Sequence, residues 1–426
     1  MGLFGGGSQQ DNRLSGIQFQ QHGYGGARTI AYGTNRVTPV LALTAGFRAV
    51  KQKAGGKGFG GGSGKSYKYF ADVLFLVCEG PIKAWGQAWR DKSKFATTTP
   101  DPFTKHRLGD YVGQAVLPYL DVVYPTQALA YRGTALVADD AYRLTDGASL
   151  GNHSIEVSGR QLSSTPGAQN LIDAHVKDVI LDFITNENYG AIDPTRYEFT
   201  FDFDQTHDYC VARGLLISPV LSEKKAAHEW IKEWLLVANS AVIWSEGVLK
   251  FKCFSDQAFS NSFGSYTPDT VIRYVFNDDN MDQLIKPERK NPADCHNKMI
   301  LECLNRNKEY NKHPITVRDE SSIRLEGLRE ADKVTIESIC LPSIGIIVAL
   351  TELSKNLNIR NTYAISTDWN ADLLEPMDYV YVNDAYLGLV NTRCRIISIE
   401  DDELKGQEGG TIRITVEEAP LGVYSG

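Results

Sequence analysis

The sequence predicts a mostly β protein of the α+β class. Three observations predict it: alternating apolar and polar residues recur along most of the chain, three amphipathic helical stretches interrupt them, and two β-rich blocks, roughly 15–165 and 290–420, flank a helical middle. Residues 1–15 read as a flexible, Gly-rich lead. Short β-prone pieces follow up to residue 50: GIQFQQ, ARTIAYG, RVTPVLAL and AGFRAV. The low-complexity KQKAGGKGFGGGSGKS, residues 51–66, lies between AGFRAV and YKYFADVLFLVCEG, which reads as a mobile hairpin tip on two paired strands. Residues 81–160 continue as strands and loops, including EGPIKAWGQAWRDK, a Tyr/Pro-rich loop YLDVVYPTQALAYRG and the strand NHSIEVSG.

A first helix then places Ile172, Val176, Val179, Ile180 and Phe183 on one face and ends at Asn188-Tyr189-Gly190. Residues 197–203 alternate as a strand that runs into FDFD. After a Pro-punctuated lead-in, Ala227, Trp230, Ile231, Trp234, Leu235 and Ala238 form one apolar helix face, with Ser222 expected at the N-cap. Ser245-Glu246-Gly247 turns residues 241–244 back onto 248–254. Residues 257–294 are Asp/Asn/Pro-rich and read as a connection. Strands return in CHNKMILECL and DKVTIESICL, and a third helix is expected over 344–358 with Ile346, Leu350, Leu353 and Leu357 on one side. The strands NTYAISTDW, MDYVYVND, TRCRIISIE and TIRITVEE complete the chain.

The 426 residues suffice for more than one core. A net charge of −8 argues against a surface that clamps nucleic acid, which needs a concentrated basic face. The seven cysteines are scattered and form no CxxC pair, so neither zinc spacing nor a disulfide framework is expected. MGLFGGGSQQ lacks the apolar segment of a signal peptide and the Ser or Thr of a myristoylation site, and no apolar run is long enough to span a membrane.

No motif for catalysis stands out. GGGSGKS has Phe59 where a phosphate loop needs Gly, and a strand follows where that loop needs a helix. Asp202, Asp204 and His207 are the best metal-like cluster, against which a solvated strand edge is the simpler account. NDDNMD (residues 277–282) lacks the Gly and closing Glu of a calcium loop. Glu79 is the acid flanked by an apolar run and Pro, as a wall-cutting acid would be, though a strand-end turn explains it. Trp85 and Trp89 could stack on sugar, or pack a hairpin. His153 precedes a strand, His175 falls mid-helix and His228 flanks a helix, each read as a packing or surface residue. There is no GxSxG, HExxH or Cys/His nucleophile signature, and no cofactor is expected.

Several strings, in order, resemble the baseplate hub (tail tip) proteins of tailed bacteriophages: IQFQQHGYGGARTIAYGTNRV, VCEGPIKAWGQAWRDK, AHVKDVILDFITNENYGAI, the Trp-rich helix with its WSEGVL hairpin, and TYAISTDWNADLLEPMDYVYVND. The resemblance implies two barrel-like β modules in a homotrimeric, non-enzymatic ring. The ring would join a sixfold distal tail protein ring to a threefold central fibre or spike, hold the tape measure protein and frame a channel through which DNA passes unbound. The expected location is the distal virion tail, with assembly in the bacterial host cytoplasm. The organisation expected on this basis is a lead 1–15, a first β module 16–165 with its tip 51–66, a middle domain 166–280, a second β module 281–420 with helix 344–358, and a tail 421–426. Gly55, Gly58, Phe59, Gly61, Gly64 and Lys65 are the candidates for an assembly loop that orders at an interface. A tail-associated cell-wall hydrolase or a carbohydrate-binding adhesin is the alternative.

Overall fold

A computed structural model describes residues 27–52, 67–95, 102–160, 172–192, 200–402 and 411–423. The chain divides into two compact units, Met1–Gln161 with Pro219–Lys224, and Leu162–Ser218 with Lys225–Gly426.

In the first unit the strand Tyr67–Glu79 is central. It pairs antiparallel with Val40–Lys51 on one side and Thr134–Arg143 on the other, and Lys105–Arg107 completes a four-stranded sheet. Its sequence, YKYFADVLFLVCE, is apolar nearly throughout because both faces are covered. Val73, Phe75 and Val77 meet Val37, Trp85, Ala88, Ile155 and Val157 of a second four-stranded sheet, ordered Thr34–Val37, His153–Ser158, Ala84–Arg90, Ser93–Lys94. Leu74 packs on the other side among Leu117, Tyr119 and Leu120, where a short helix α1 (Pro118–Val123) starts on Pro118. This helix lies in the stretch read as a Tyr/Pro-rich loop.

The second unit holds α2 (Val176–Thr185), α3 (Asp204–Arg213), α4 (Ala227–Val237), α5 (Glu320–Glu326) and α6 (Pro342–Asn358). Phe183 of α2 meets Trp234 of α4 edge to face at 5.2 Å, and Trp234 is fully buried. Beside α4 lies a three-stranded sheet ordered Thr200–Asp202, Val248–Cys253, Ser240–Ser245. A six-stranded sheet follows the order Ile272–Phe276, Tyr379–Asp384, Leu389–Asp402, Thr411–Glu418, Asn361–Thr367, Lys286–Arg289, around Phe276, Ile365, Val380, Ile396 and Ile414. A second three-stranded sheet, ordered Asn311–Arg318, Lys298–Asn305, Val334–Ile336, carries α6. That helix sits close because Gly345 faces the sheet: a Cβ there would lie 2.6 Å from Ile315 Cδ1.

Several expectations are corrected here. Among the described residues no sheet closes into a barrel; the four-stranded sheets of the first unit are too narrow to close and share a core instead, and the six-stranded sheet is open at both edges. Ile172 lies outside α2 and is exposed. The expected N-cap Ser222 is exposed, and α4 begins at Ala227 with Ala226 at its cap. The lead-in before it contains α3, and the strand expected over 197–203 gives way to that helix at Asp204. The connection 257–294 contains both outer strands of the six-stranded sheet. On α6 the buried face runs through Ile344, Val348, Ala349, Leu353 and Leu357, while Ile346 and Leu350 are exposed.

Candidate functional site

Several strings that stand out in the sequence form fastenings, two by meeting another string and one by folding back on itself. In the first unit Arg36, from YGTNR, stacks on Trp89, from the CEGPI hairpin, at 4.3 Å and donates from Nε to Ser154 at 2.7 Å. In the second unit the WSEGVLKFK hairpin is gripped by LEPMD. Glu375 accepts from Lys250 Nζ at 2.5 Å, from Lys252 Nζ at 2.9 Å and from the Ser245 hydroxyl. Burial works against the charge on Glu375, but these three donors hold its carboxyl down to about 2. DFITNENYG is a helix stop: Tyr189 folds back to donate to Asp182, and Asn186 Nδ2 donates to the same carboxylate at 3.0 Å. Gly190 is required there, since a Cβ would lie 2.4 Å from the Asn186 carbonyl oxygen.

A groove of about 720 Å³ lies within the second unit. Ile231 and Leu235 of α4, Val242, Leu249 and Phe251 of the hairpin, and Val334 and Ile336 form its apolar wall. His228, Lys232, Glu352 and Lys355 stand among its lining. It offers apolar area and mixed charge.

The six assembly-loop candidates, Gly55, Gly58, Phe59, Gly61, Gly64 and Lys65, lie outside the described residues. The strands that carry them are paired as expected, Lys51 opposite Tyr67. Asp202 and Asp204 do not share a strand face: Asp202 Oδ1 accepts from the Asp204 amide at 3.1 Å as the chain turns into α3, one turn of which separates Asp204 from His207. Among the described residues no group of three or more His, Cys, Asp or Glu is placed to hold a metal ion. Glu79 is buried and engaged by Arg28 at 2.6 Å and by the Tyr111 hydroxyl. Trp85 and Trp89 are buried in the first unit and present no stacking face. In NDDNMD, Asn277 donates to Asn280 Oδ1 at 2.9 Å, which closes a turn. His153 begins its strand and bonds Tyr142 at 2.6 Å, His228 is exposed at the start of α4, and His175 lies at the N-cap of α2 rather than mid-helix. All seven cysteines are buried free thiols, and burial pushes Cys78 up to about 12. No helix among the described residues is long and apolar enough to cross a membrane.

Sequence reasoning missed two buried ion pairs. Arg306 meets Asp173 through both guanidinium ends, and Arg393 meets the buried Asp256 at 3.0 Å. Nothing local marks them, since their partners are distant in the chain.

A family model described as putative phage tail protein matches residues 226–399. No curated protein matches the sequence. Among solved structures, a chain in the virion of a native gene transfer agent particle is 14% identical, with a TM-score of 0.63 over 97% of this chain and 90% of that one. A prophage MuSo2 tail protein from Shewanella oneidensis (11% identical, TM-score 0.36, 92% of this chain and 97% of that one) and a tail protein from Neisseria meningitidis (10%, 0.39, 93% and 98%) also match. The first of these shares the fold along nearly the whole length. The matched residues 226–399 include α4, its hairpin and the Glu375 fastening, so the part of the chain similar to the putative phage tail protein family is the part that these contacts hold together.

Proposed function

We propose that the protein is a structural baseplate hub, or tail tip, of a bacteriophage or phage-like particle. In this reading three copies form a ring at the distal end of the tail. The ring joins a sixfold distal tail ring to a threefold central fibre or spike, contacts the tape measure protein, and leaves a passage that DNA crosses without being bound. The observation that carries the reading is the fold likeness to a gene transfer agent virion chain along 97% of the length, with the tail family match inside it. Its non-enzymatic character is supported by the residues best suited to wall chemistry or sugar binding being tied into packing: Glu79 by Arg28 and Tyr111, Trp85 and Trp89 by burial.

Light scattering and class averages of the purified protein and of intact particles test the assembly. Three copies about one axis are expected; a compact monomer inside intact virions, or absence from them, removes the proposal. Deleting residues 53–64 is expected to lower particle yield while the monomer still folds. Clearing of cell wall by the purified chain in a zymogram would favour a hydrolase instead.

A further inference from the structure

In the second unit, three side chains that converge near the start of α2 hold buried polar atoms with no hydrogen-bond partner: His175 at both ring nitrogens, His207 at Nδ1 and Asp178 at Oδ2. His175 caps α2 and pairs with Leu216 in a short ladder, Asp178 lies in the first turn of α2, and His207 lies in the first turn of α3. The two rings meet edge to face, with centroids 5.3 Å apart and planes at 66°. His175 is only 3% exposed. A neutral imidazole can pack there as an aromatic plate. An imidazolium is disfavoured there, because it brings two N–H donors and a charge into a buried site where the one nearby carboxylate, Asp178, is not bonded to either ring.

We propose that His175 and His207 form an acid-sensitive latch, which holds α2 against α3 while both rings are neutral and releases that contact on acidification. The surrounding charges agree with this. Burial is the main cause that lowers both rings below the ordinary histidine value. His207 lowers His175 further, and Lys177 on α2 lowers His207. Asp178 on α2 pulls both rings the other way, as do Asp204 and Asp208 on α3 for His207, but none of them bonds to a ring nitrogen. The ladder strand Leu216–Ile217 brings no charge. The sign follows: a base held neutral in the closed state contributes its full stability above the value of the released ring, about 6.5, and loses it as pH falls below that. Each proton taken up on release multiplies the opening equilibrium about tenfold per pH unit, so the pair gives up to about a hundredfold.

Hydrogen exchange on the full chain between pH 7.5 and 5 reads this opening. The expected result is a fall of about tenfold to a hundredfold per pH unit in the protection factors of α2 and α3 amides below pH 6.5, with the hairpin amides of 240–253 unchanged. His207→Phe keeps the edge-to-face contact but removes one titrating ring, and His175→Gln removes the other, so each reduces the slope by one proton. Flat protection in the wild-type chain overturns the proposal, and so do variants that keep the wild-type slope. Zinc that raises α2 protection at pH 7 in the wild type but not in the variants would make the pair a cation site and also overturn the latch. If neither variant folds, the wild-type profile alone decides.

Discussion

Two hairpins in this chain solve the same pairing problem by opposite means. The hairpin of Ser240–Ser245 and Val248–Cys253 is set by its turn. Glu246 and Gly247 both take positive φ, 52° and 78°, the backbone of a two-residue turn whose twist matches the strands, and the register runs without a slip. The hairpin of Val40–Lys51 and Tyr67–Glu79 has a long Gly-rich connection that can dictate no register. Its pairing slips between Leu41 and Leu43 and again between Ala45 and Arg48. There Gly46 bulges at φ 63°, and Asp72 pins the bulge by accepting from Arg48 at 2.9 Å and from the Tyr124 hydroxyl at 2.7 Å. Where the loop is long, a buried carboxylate does what the turn does elsewhere.

The largest break in that contrast is Asp72→Ala, which removes the acceptor of the Tyr124 hydroxyl and leaves Arg48 with the Asp140 carbonyl, and is expected to cost about 3 kcal/mol in chemical denaturation. Gly46→Val comes next, at about 2 kcal/mol, because its Cβ would lie 2.6 Å from Asp72 Oδ2 at a φ that branched residues avoid. On the turn-set hairpin, Glu375→Gln removes the charge that Lys250 and Lys252 share and is expected to cost about 1.5 kcal/mol at neutral pH. The sign with pH is fixed by the lowered carboxyl: wild-type stability from this contact is full above about 4.5 and is lost as pH falls toward about 2, and the variant lacks that acid slope. The smallest effect is a gain. Glu246→Asn, which suits the left-handed position better, is expected to add about 0.5 kcal/mol with an unchanged register, read from thermal melts and cross-strand nuclear Overhauser contacts.

The same contrast explains what was legible in the sequence. α4 and its hairpin were readable because large apolar residues recur at helical spacing and a Gly marks the turn. α3 was not, because its buried side chains, Thr206, Tyr209, Cys210 and Ala212, are mixed in polarity and form no apolar stripe. On α6 the expected Leu353 and Leu357 are buried, but close approach of Gly345 and Ala349 to the sheet rotates the first turns so that Ile344 and Val348 face inward and Ile346 and Leu350 outward. Glu375 lies in a string that was singled out, yet its lysines are more than a hundred residues earlier, so no local pattern could reveal its role. Asp202 and Asp204 do not share the expected strand face, because the strand ends at Asp202 and the chain is helical from Asp204.

One edge strand of the six-stranded sheet, Lys286–Arg289, exposes all four of its residues, Lys-Pro-Glu-Arg. Pro287 has no N–H to offer a newcomer, and the flanking charges would be stranded if another sheet zipped alongside. Copies crowded together at high local concentration are therefore kept from growing into cross-β fibres along that rim.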